Sequence, residues 1–310
     1  MQQLEGIHHI TAITADGPRN VDFYARVLGL RLVKKTVNQD DPTAYHLFFA
    51  DEDGSAGADL TFFEYPGARR GQAGPGMVHR IVYRVGSPEA LDFWADRLGG
   101  EGIETTRVDG GLRFADPEGL EYELRHVDTG DAPLIARSRE VPTEHALQGF
   151  HAVHAYVANA TQSARLLTEV MDFEDRGDGV YETRGAERGG AIVLEPAAGR
   201  SYGGAGTVHH IAWASTIADH EAWREKVLAA GARATPVIDR FYFKSVYFRE
   251  PSGILYELAT LGPGFTTDEP LEHLGERLSL PPDFEHLRDQ VERTLTPLPD
   301  TRQWRPAPVS

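Results

Sequence analysis

Apolar residues along this chain alternate in short runs and then change to a three-to-four spacing, and the sequence repeats this order four times. Residues 113 to 124, Arg-Phe-Ala-Asp-Pro-Glu-Gly-Leu-Glu-Tyr-Glu-Leu, overlay residues 247 to 258, Tyr-Phe-Arg-Glu-Pro-Ser-Gly-Ile-Leu-Tyr-Glu-Leu, without a gap. Each stretch predicts strand, turn, strand. Asp116-Pro117-Glu118-Gly119 and Glu250-Pro251-Ser252-Gly253 place proline second and glycine fourth, as a type I turn prefers. Upstream, the second unit has an alternating strand over 79–85, then Ser87-Pro88 opening a helix with Leu91, Trp94, Ala95 and Leu98 on one face. The fourth unit repeats this with a strand over 209–214 and a helix carrying Trp223 and Val227 that closes near Gly231. In the first unit the spacing predicts a strand over 7–14, a helix over 21–28 stopped by Gly29, and strands near 44–50 and 60–65. In the third it predicts a strand over 150–157, a helix over 161–171, and strands near 180–183 and 191–195.

The expected fold is therefore α+β: four tandem βαβββ units, at 4–66, 76–127, 147–196 and 205–261, paired into two half-open barrels. Along the chain this gives an N-terminal domain over 1–135, a C-terminal domain over 136–262, each of two units, and a tail over 263–310. The stretch 128–146 serves as the linker. The tail predicts a helix over 283–295 and a proline-rich end. Glycine-rich pieces at 71–76 and 203–206 join units, and neither connects strand to helix in a phosphate-binding pattern.

Composition narrows the chemistry. A chain of 310 residues with 41% hydrophobic content is long enough for two cores, and its charged fraction is that of a globular protein. A formal charge of −16 repels nucleic acid and anionic membranes, and no apolar run reaches the length of a membrane span. The N-terminus has no basic leader and cleavage site, so a cytoplasmic protein is expected. Absence of cysteine excludes disulfides, zinc ribbons and thiol catalysis, so any metal must be held by His, Asp or Glu. The oligomeric state stays open.

The same double-histidine word opens two units, as Gly6-Ile-His8-His9 and Thr207-Val-His209-His210. Each unit's sheet can cover its helix with one face and leave the other concave, so two units side by side form a cup for a small ligand. On strict alternation, bulky Ile211 and Trp213 share a face with His209, while Ala212 and Ala214 share one with His210. Small residues leave room in a cup, which selects His210 and, in the first unit, His9. Glu257 ends the last strand of the fourth unit, where a buried carboxylate needs a cation or a proton. Two imidazoles and one carboxylate form the facial set that suits Fe(II), with Mn(II) as the other choice, and leave positions for substrate and O₂. Rivals are His151 or His154 in place of His9, should units three and four share the cup, and Glu64 as a fourth ligand. Glu123 repeats Glu257, but Arg80 stands where His210 would be, so a second metal site is not expected.

These residues resemble the vicinal oxygen chelate superfamily (glyoxalase, bleomycin resistance protein, extradiol dioxygenase), and within it the ring-cleaving extradiol dioxygenases of hydroquinone type. The likeness lies in Gly-Ile-His-His-Ile-Thr at 6–11, Leu-Val-Lys-Lys-Thr-Val-Asn-Gln-Asp-Asp-Pro at 32–42 and Tyr-His-Leu-Phe-Phe-Ala-Asp-Glu at 45–52. It continues in Val-Pro-Thr-Glu-His-Ala at 141–146, Asp-Arg-Phe-Tyr-Phe-Lys-Ser-Val-Tyr-Phe-Arg at 239–249 and Gly-Pro-Gly-Phe-Thr-Thr-Asp-Glu at 262–269. The resemblance implies His9, His210 and Glu257 as iron ligands, and His8, Thr11, His209, Arg240 and Tyr247 as active-site residues. It further implies a small aromatic diol and O₂ as substrates. Alternation points His8 and His209 away from the cup, which conflicts with that assignment. Two other readings use the same fold: a metal isomerase or thiol transferase with four ligands, for which Glu64 is the deciding residue, and a small-molecule binder without redox metal.

Overall fold

A computed structural model describes residues 3–306. The first unit comprises β1 (Ile7–Thr14), α1 (Gly17–Val21), β2 (Arg31–Asn38), β3 (Asp41–Ala50) and β4 (Asp59–Glu64). The second comprises β5 (Met77–Val85), α2 (Pro88–Gly100), β6 (Thr105–Val108), β7 (Gly111–Ala115) and β8 (Glu121–His126). The third comprises β9 (Leu147–Val157), α3 (Ala160–Arg165), β10 (Glu174–Gly177), β11 (Val180–Arg184) and β12 (Gly189–Pro196). The fourth comprises β13 (Thr207–Ser215), α4 (His220–Ala229), β14 (Ile238–Asp239), β15 (Phe243–Arg249) and β16 (Leu255–Pro263). The fold is α+β, as the fourfold pattern predicts. Among the described residues no helix is long and apolar enough to cross a membrane.

Local signals account for the element ends. Ser87 caps α2 by accepting the Ala90 N–H at 3.3 Å, with Pro88 in the first turn, and Ala90, Leu91, Trp94 and Leu98 form its buried face. The helix of the first unit starts earlier than expected, because Asp16 accepts the Arg19 N–H at 3.0 Å and Pro18 fits the first turn. It then widens into a π-helical turn over Asp22–Val27, and α3 does the same over Leu166–Val170. Both repeated turns form: Asp116 accepts the N–H groups of Glu118 and Leu120, and Glu250 accepts that of Ile254 at 3.0 Å. In the tail, the stretch expected to be one helix begins as a 3₁₀ turn, Pro282–Leu287. Only α5 (Arg288–Thr294) is α-helical.

The sheets pair across the chain rather than along it. One eight-stranded sheet runs β14-β15-β16-β13-β1-β4-β3-β2 and joins the fourth unit to the first; the other runs β10-β11-β12-β9-β5-β8-β7-β6 and joins the third to the second. A division at 135/136 therefore separates covalent halves, not sheets. Consecutive units are tied instead through helices and turns: Tyr24 Oη donates to Asp116 Oδ2 at 2.8 Å, and Ser163 Oγ donates to Glu250 Oε2 at 2.5 Å. The sheets meet at Gly6 (φ 84°), where a Cβ would lie 2.5 Å from the Gly189 carbonyl oxygen, so only glycine permits the approach.

Ile211, Trp213 and Trp223 pack in the main core on the helix side, whereas Ala212 and Ala259 belong to a smaller cluster on the concave side. Each large apolar side chain buried in the main core contributes roughly 1.5–3 kcal/mol relative to exposure. Small residues on the other face keep the cup of the first and fourth units hollow.

Candidate metal centre

At the middle of that cup, β1 and β13 run antiparallel, with His9 opposite Ala212 and Thr11 opposite His210. On the far side of β13, Glu257 in β16 lies opposite Ala212. These registers bring three donor atoms together. His9 Nε2 is 3.2 Å from His210 Nε2 and 3.2 Å from Glu257 Oε2, and His210 Nε2 is 2.9 Å from the same oxygen. All three residues are buried, Glu257 completely. The Glu257 carboxylate faces only the two imidazole nitrogens, and a buried carboxylate without a cation or a proton is costly. Three cis positions around an octahedral ion at bonds of about 2.1 Å would be separated by about 3.0 Å, so the donors fit one face of such an ion. Burial pushes the Glu257 carboxyl up, but the two histidines outweigh this and hold it well below its usual range.

The first histidine of each pair is re-aimed by a β-bulge. Pairing of β1 with β13 slips between Ile7 and His9 and again between Thr11 and Ala12, opposite His210 and Val208. The unpaired residues are His8 on one strand and His209 on the other, and a bulge turns its side chain off strict alternation. His8 Nδ1 thereby lies 2.9 Å from His9 Nδ1, and His209 Nδ1 lies 2.8 Å from His210 Nδ1. His8 Nε2 donates to the Thr260 carbonyl at 3.1 Å, so in the neutral ring Nδ1 is an acceptor. His9 then donates from Nδ1 and presents a bare Nε2 lone pair to the centre, the tautomer a metal ligand needs.

Thr11 Oγ1 lies 3.0 Å from His210 Nε2 and 2.7 Å from Thr61 Oγ1, which in turn contacts His46 Nε2 at 2.9 Å. By register, Thr61 holds in the first unit the place of Glu257 in the fourth, so a hydroxyl stands where a second carboxylate would make a fourth ligand. A cavity of about 370 Å³ opens from His9 and His210, walled by Phe48, Phe63, Phe243 and Leu255 and rimmed by Asp40 and Asp41. Arg240 and Tyr247 also face it. Asp40 grips the Arg240 guanidinium at 3.0 and 2.8 Å, and that group lies 5.4 Å from the Tyr247 ring centroid. Burial, reinforced by Glu257, pushes the Tyr247 hydroxyl above its usual range, so it remains a proton donor. His46 also lines the cavity, without a repeated motif to mark it in the sequence. It shares a strand face with Phe48, whose ring is 3.9 Å away, and that alternation is the signal that locates it.

The histidines set a pH dependence. Burial, with His9 beside it, lowers the His8 pKa to about 3, and burial with His9 and His210 drives His46 well below its ordinary value. As pH falls through the unfolded-state value of about 6.5, the unfolded chain takes up protons that the folded one refuses. Each such histidine removes up to about 1.4 kcal/mol of stability per pH unit. Asp51, Asp59, Glu64, Asp116 and Glu118, raised chiefly by burial, work in the opposite sense, while His151, His154, His209, His210 and His220, lowered chiefly by burial, add to the effect of His8 and His46. The unfolding midpoint is expected to be lower at pH 5 than at pH 7 by calorimetry; a midpoint that rises on acidification would refute these neutral histidines.

The rival residues lie elsewhere. Glu64 points to the helix side, where Oε1 accepts the Gly17 N–H at 2.9 Å. His151 and His154 belong to the other sheet, on β9. There His154, His79 and Glu195 come together, but Arg80 Nη2 lies 2.9 Å from His154 Nδ1 and 3.1 Å from Glu195 Oε1, placing a fixed cation among them. Glu123, the counterpart of Glu257, is engaged by Arg113 at 2.8 Å and by Arg125.

Comparison with known proteins places this geometry in context. The model of the Glyoxalase/Bleomycin resistance protein/Dioxygenase superfamily matches residues 6–124 and 149–258. The Bacillus subtilis (strain 168) protein named "Putative ring-cleaving dioxygenase MhqO" is 42% identical over 94% of this chain and 96% of its own. The chlorohydroquinone/hydroquinone 1,2-dioxygenase of Sphingobium indicum is 31% identical over 95% of this chain and 97% of its own. A crystal structure described as a dioxygenase of the putative kind from Bacillus subtilis superposes with TM-score 0.88 at 40% identity, covering 96% of this chain and 99% of that one. Glyoxalase I from Zea mays, at 15% identity and TM-score 0.59 over 88% and 96% of the two chains, shares the fold.

Proposed function

Because the chain belongs to the Glyoxalase/Bleomycin resistance protein/Dioxygenase superfamily, we propose that it is a ring-cleaving dioxygenase that opens a hydroquinone or catechol with O₂ at Fe(II) held by His9, His210 and Glu257. The observation that carries this reading is the three-donor face itself, which opens on an aromatic-walled cavity while Glu64 is bound to the Gly17 backbone. The relatives named for ring cleavage and for hydroquinone support the same substrate class. Bound iron supplies a Lewis acid for a substrate hydroxyl and an electron path between ring and dioxygen. The chain's own residues do the rest. Arg240 offers a fixed positive charge to a substrate oxygenate, and Tyr247 and Thr11 offer O–H donors near the ligand face. Phe48, Phe63 and Phe243 exclude water and clamp an apolar ring. His8 and His209 orient the ligand imidazoles through their Nδ1 contacts.

The test is anaerobic loading with Fe(II), and separately Mn(II), followed by oxygen-electrode measurements over a panel of hydroquinones and catechols. Oxygen consumption stoichiometric with diol loss is expected with iron. No uptake with any diol would return the choice to a non-redox binder.

A further inference from the structure

Behind the His209–His210 pair lies a second cavity, of about 430 Å³, that shares His209, His210 and Leu255 with the metal-site cavity as a common wall. Met77 and Val78 at the start of β5, Ile13, and Ile254 give it an apolar floor, and Tyr202, 56% exposed, stands at its edge. Its charge is opposite in kind to that of the first cavity. The metal-site mouth carries Asp40 and Asp41, and its arginine, Arg240, is already gripped by Asp40. The second cavity has no Asp or Glu in its wall, in a chain with 47 acidic residues and a formal charge of −16. Its cation, Arg249, donates to the Gly253 carbonyl at 2.7 Å and has no carboxylate partner among the described residues.

We propose that this second cavity binds the carboxylate of the ring-opened product, with Arg249 as its anchor. The inference rests on the ring-cleavage reading above, because the chemistry of that reaction changes the charge of the ligand. Cleaving the bond between a hydroxyl-bearing carbon and its neighbour adds both atoms of O₂, one to each carbon, and turns a neutral diol into an acid and an aldehyde. For the parent hydroquinone the balance is C₆H₆O₂ + O₂ → C₆H₆O₄, in which the ring carbons are oxidised, dioxygen is reduced, and the acid then loses a proton to solvent. A neutral diol passes the acidic mouth without repulsion, whereas an anion is disfavoured there and favoured beside Arg249. The shared wall is the bulged His209, itself exposed, the buried His210 and the partly buried Leu255.

The probe is cis,cis-muconate, a ring-opened dicarboxylate, titrated into the iron-loaded full-length protein by calorimetry. Arg249→Gln is expected to weaken its binding about tenfold, the usual size of a lost charge-assisted contact. Tyr202→Asp, which puts a carboxylate at the edge of the cavity on an exposed residue, is expected to weaken it similarly. His9→Ala, which removes a proposed metal ligand that is not part of this wall, is expected to leave muconate binding in place whether or not iron is retained. Muconate binding that is absent, that survives both cavity substitutions, or that disappears in His9→Ala overturns the proposal. Because the binding measurement needs no turnover, it fails separately from the oxygen-uptake test of the activity.

Discussion

A His210→Ala protein is expected to purify without iron and to consume no oxygen with any diol, the two losses appearing together. His210 Nε2 is the donor nearest Glu257 Oε2, at 2.9 Å, and it is placed by a strand pairing rather than by a mobile loop. Removing an outer partner of a metal ligand costs about 10–100-fold in affinity, and removing the ligand itself costs more. It also leaves the buried Glu257 carboxylate beside one imidazole instead of two, so ions that still bind would be held by two donors. Metal content by emission spectroscopy and oxygen uptake decide the matter. A His210→Ala protein that retains stoichiometric iron and turnover would remove the assignment. His79→Ala, in the other sheet at the place that His209 holds here, is the control and should keep its metal.

The largest effect on stability is expected from Lys34→Met. Lys34 is fully buried on β2, with Nζ 2.7 Å from Asp268 Oδ1, a second contact to the buried Glu269, and a third to the Phe265 carbonyl at 3.2 Å. Its ammonium also sits 4.9 Å from the Tyr242 ring centroid, and Tyr242 Oη donates to Asp268 Oδ2 at 2.9 Å. This cluster clips the tail segment after β16 onto the cup. Breaking a buried ion pair by removing one partner costs about 3–5 kcal/mol, since the other charge is left without compensation. Here the fully buried Glu269 would keep only Arg277 as a cation among the described residues, at 3.8 Å, while Asp268 would keep the Tyr242 hydroxyl. Urea denaturation should show that loss, and KM for the diol should rise as well, because Phe265 packs on Phe48 and Tyr242, both in the cavity wall. A loss below about 1 kcal/mol, the scale of a surface pair, would show that the cluster is not desolvated as described.

Much of this was legible in the residues. The repeated turn at Asp116 and Glu250, the alternation in each strand and the Ser87-Pro88 helix start are local signals, and they yielded the four units and the α+β fold. Small Ala212 against bulky Trp213 marked the concave face, since an alternating strand has only two sides. The same rule misplaced His8 and His209. A bulge is a property of two paired strands, so a single strand's alternation does not reveal it. Glu64 remained open as a ligand for a related reason: its backbone partner, Gly17, belongs to another element.

The sequence by itself determined the units, their turns, the candidate donor residues and the absence of cysteine, because each depends on residue type and on neighbours a few positions away. Tertiary structure alone decided that the first unit pairs with the fourth, bringing His9 within 3.2 Å of a residue 201 positions later. It also decided which histidine of each pair is bulged, and that Lys34 locks the tail beside the cup. Such outcomes are set by burial and hydrogen bonding between distant segments, for which the chain carries no local periodicity.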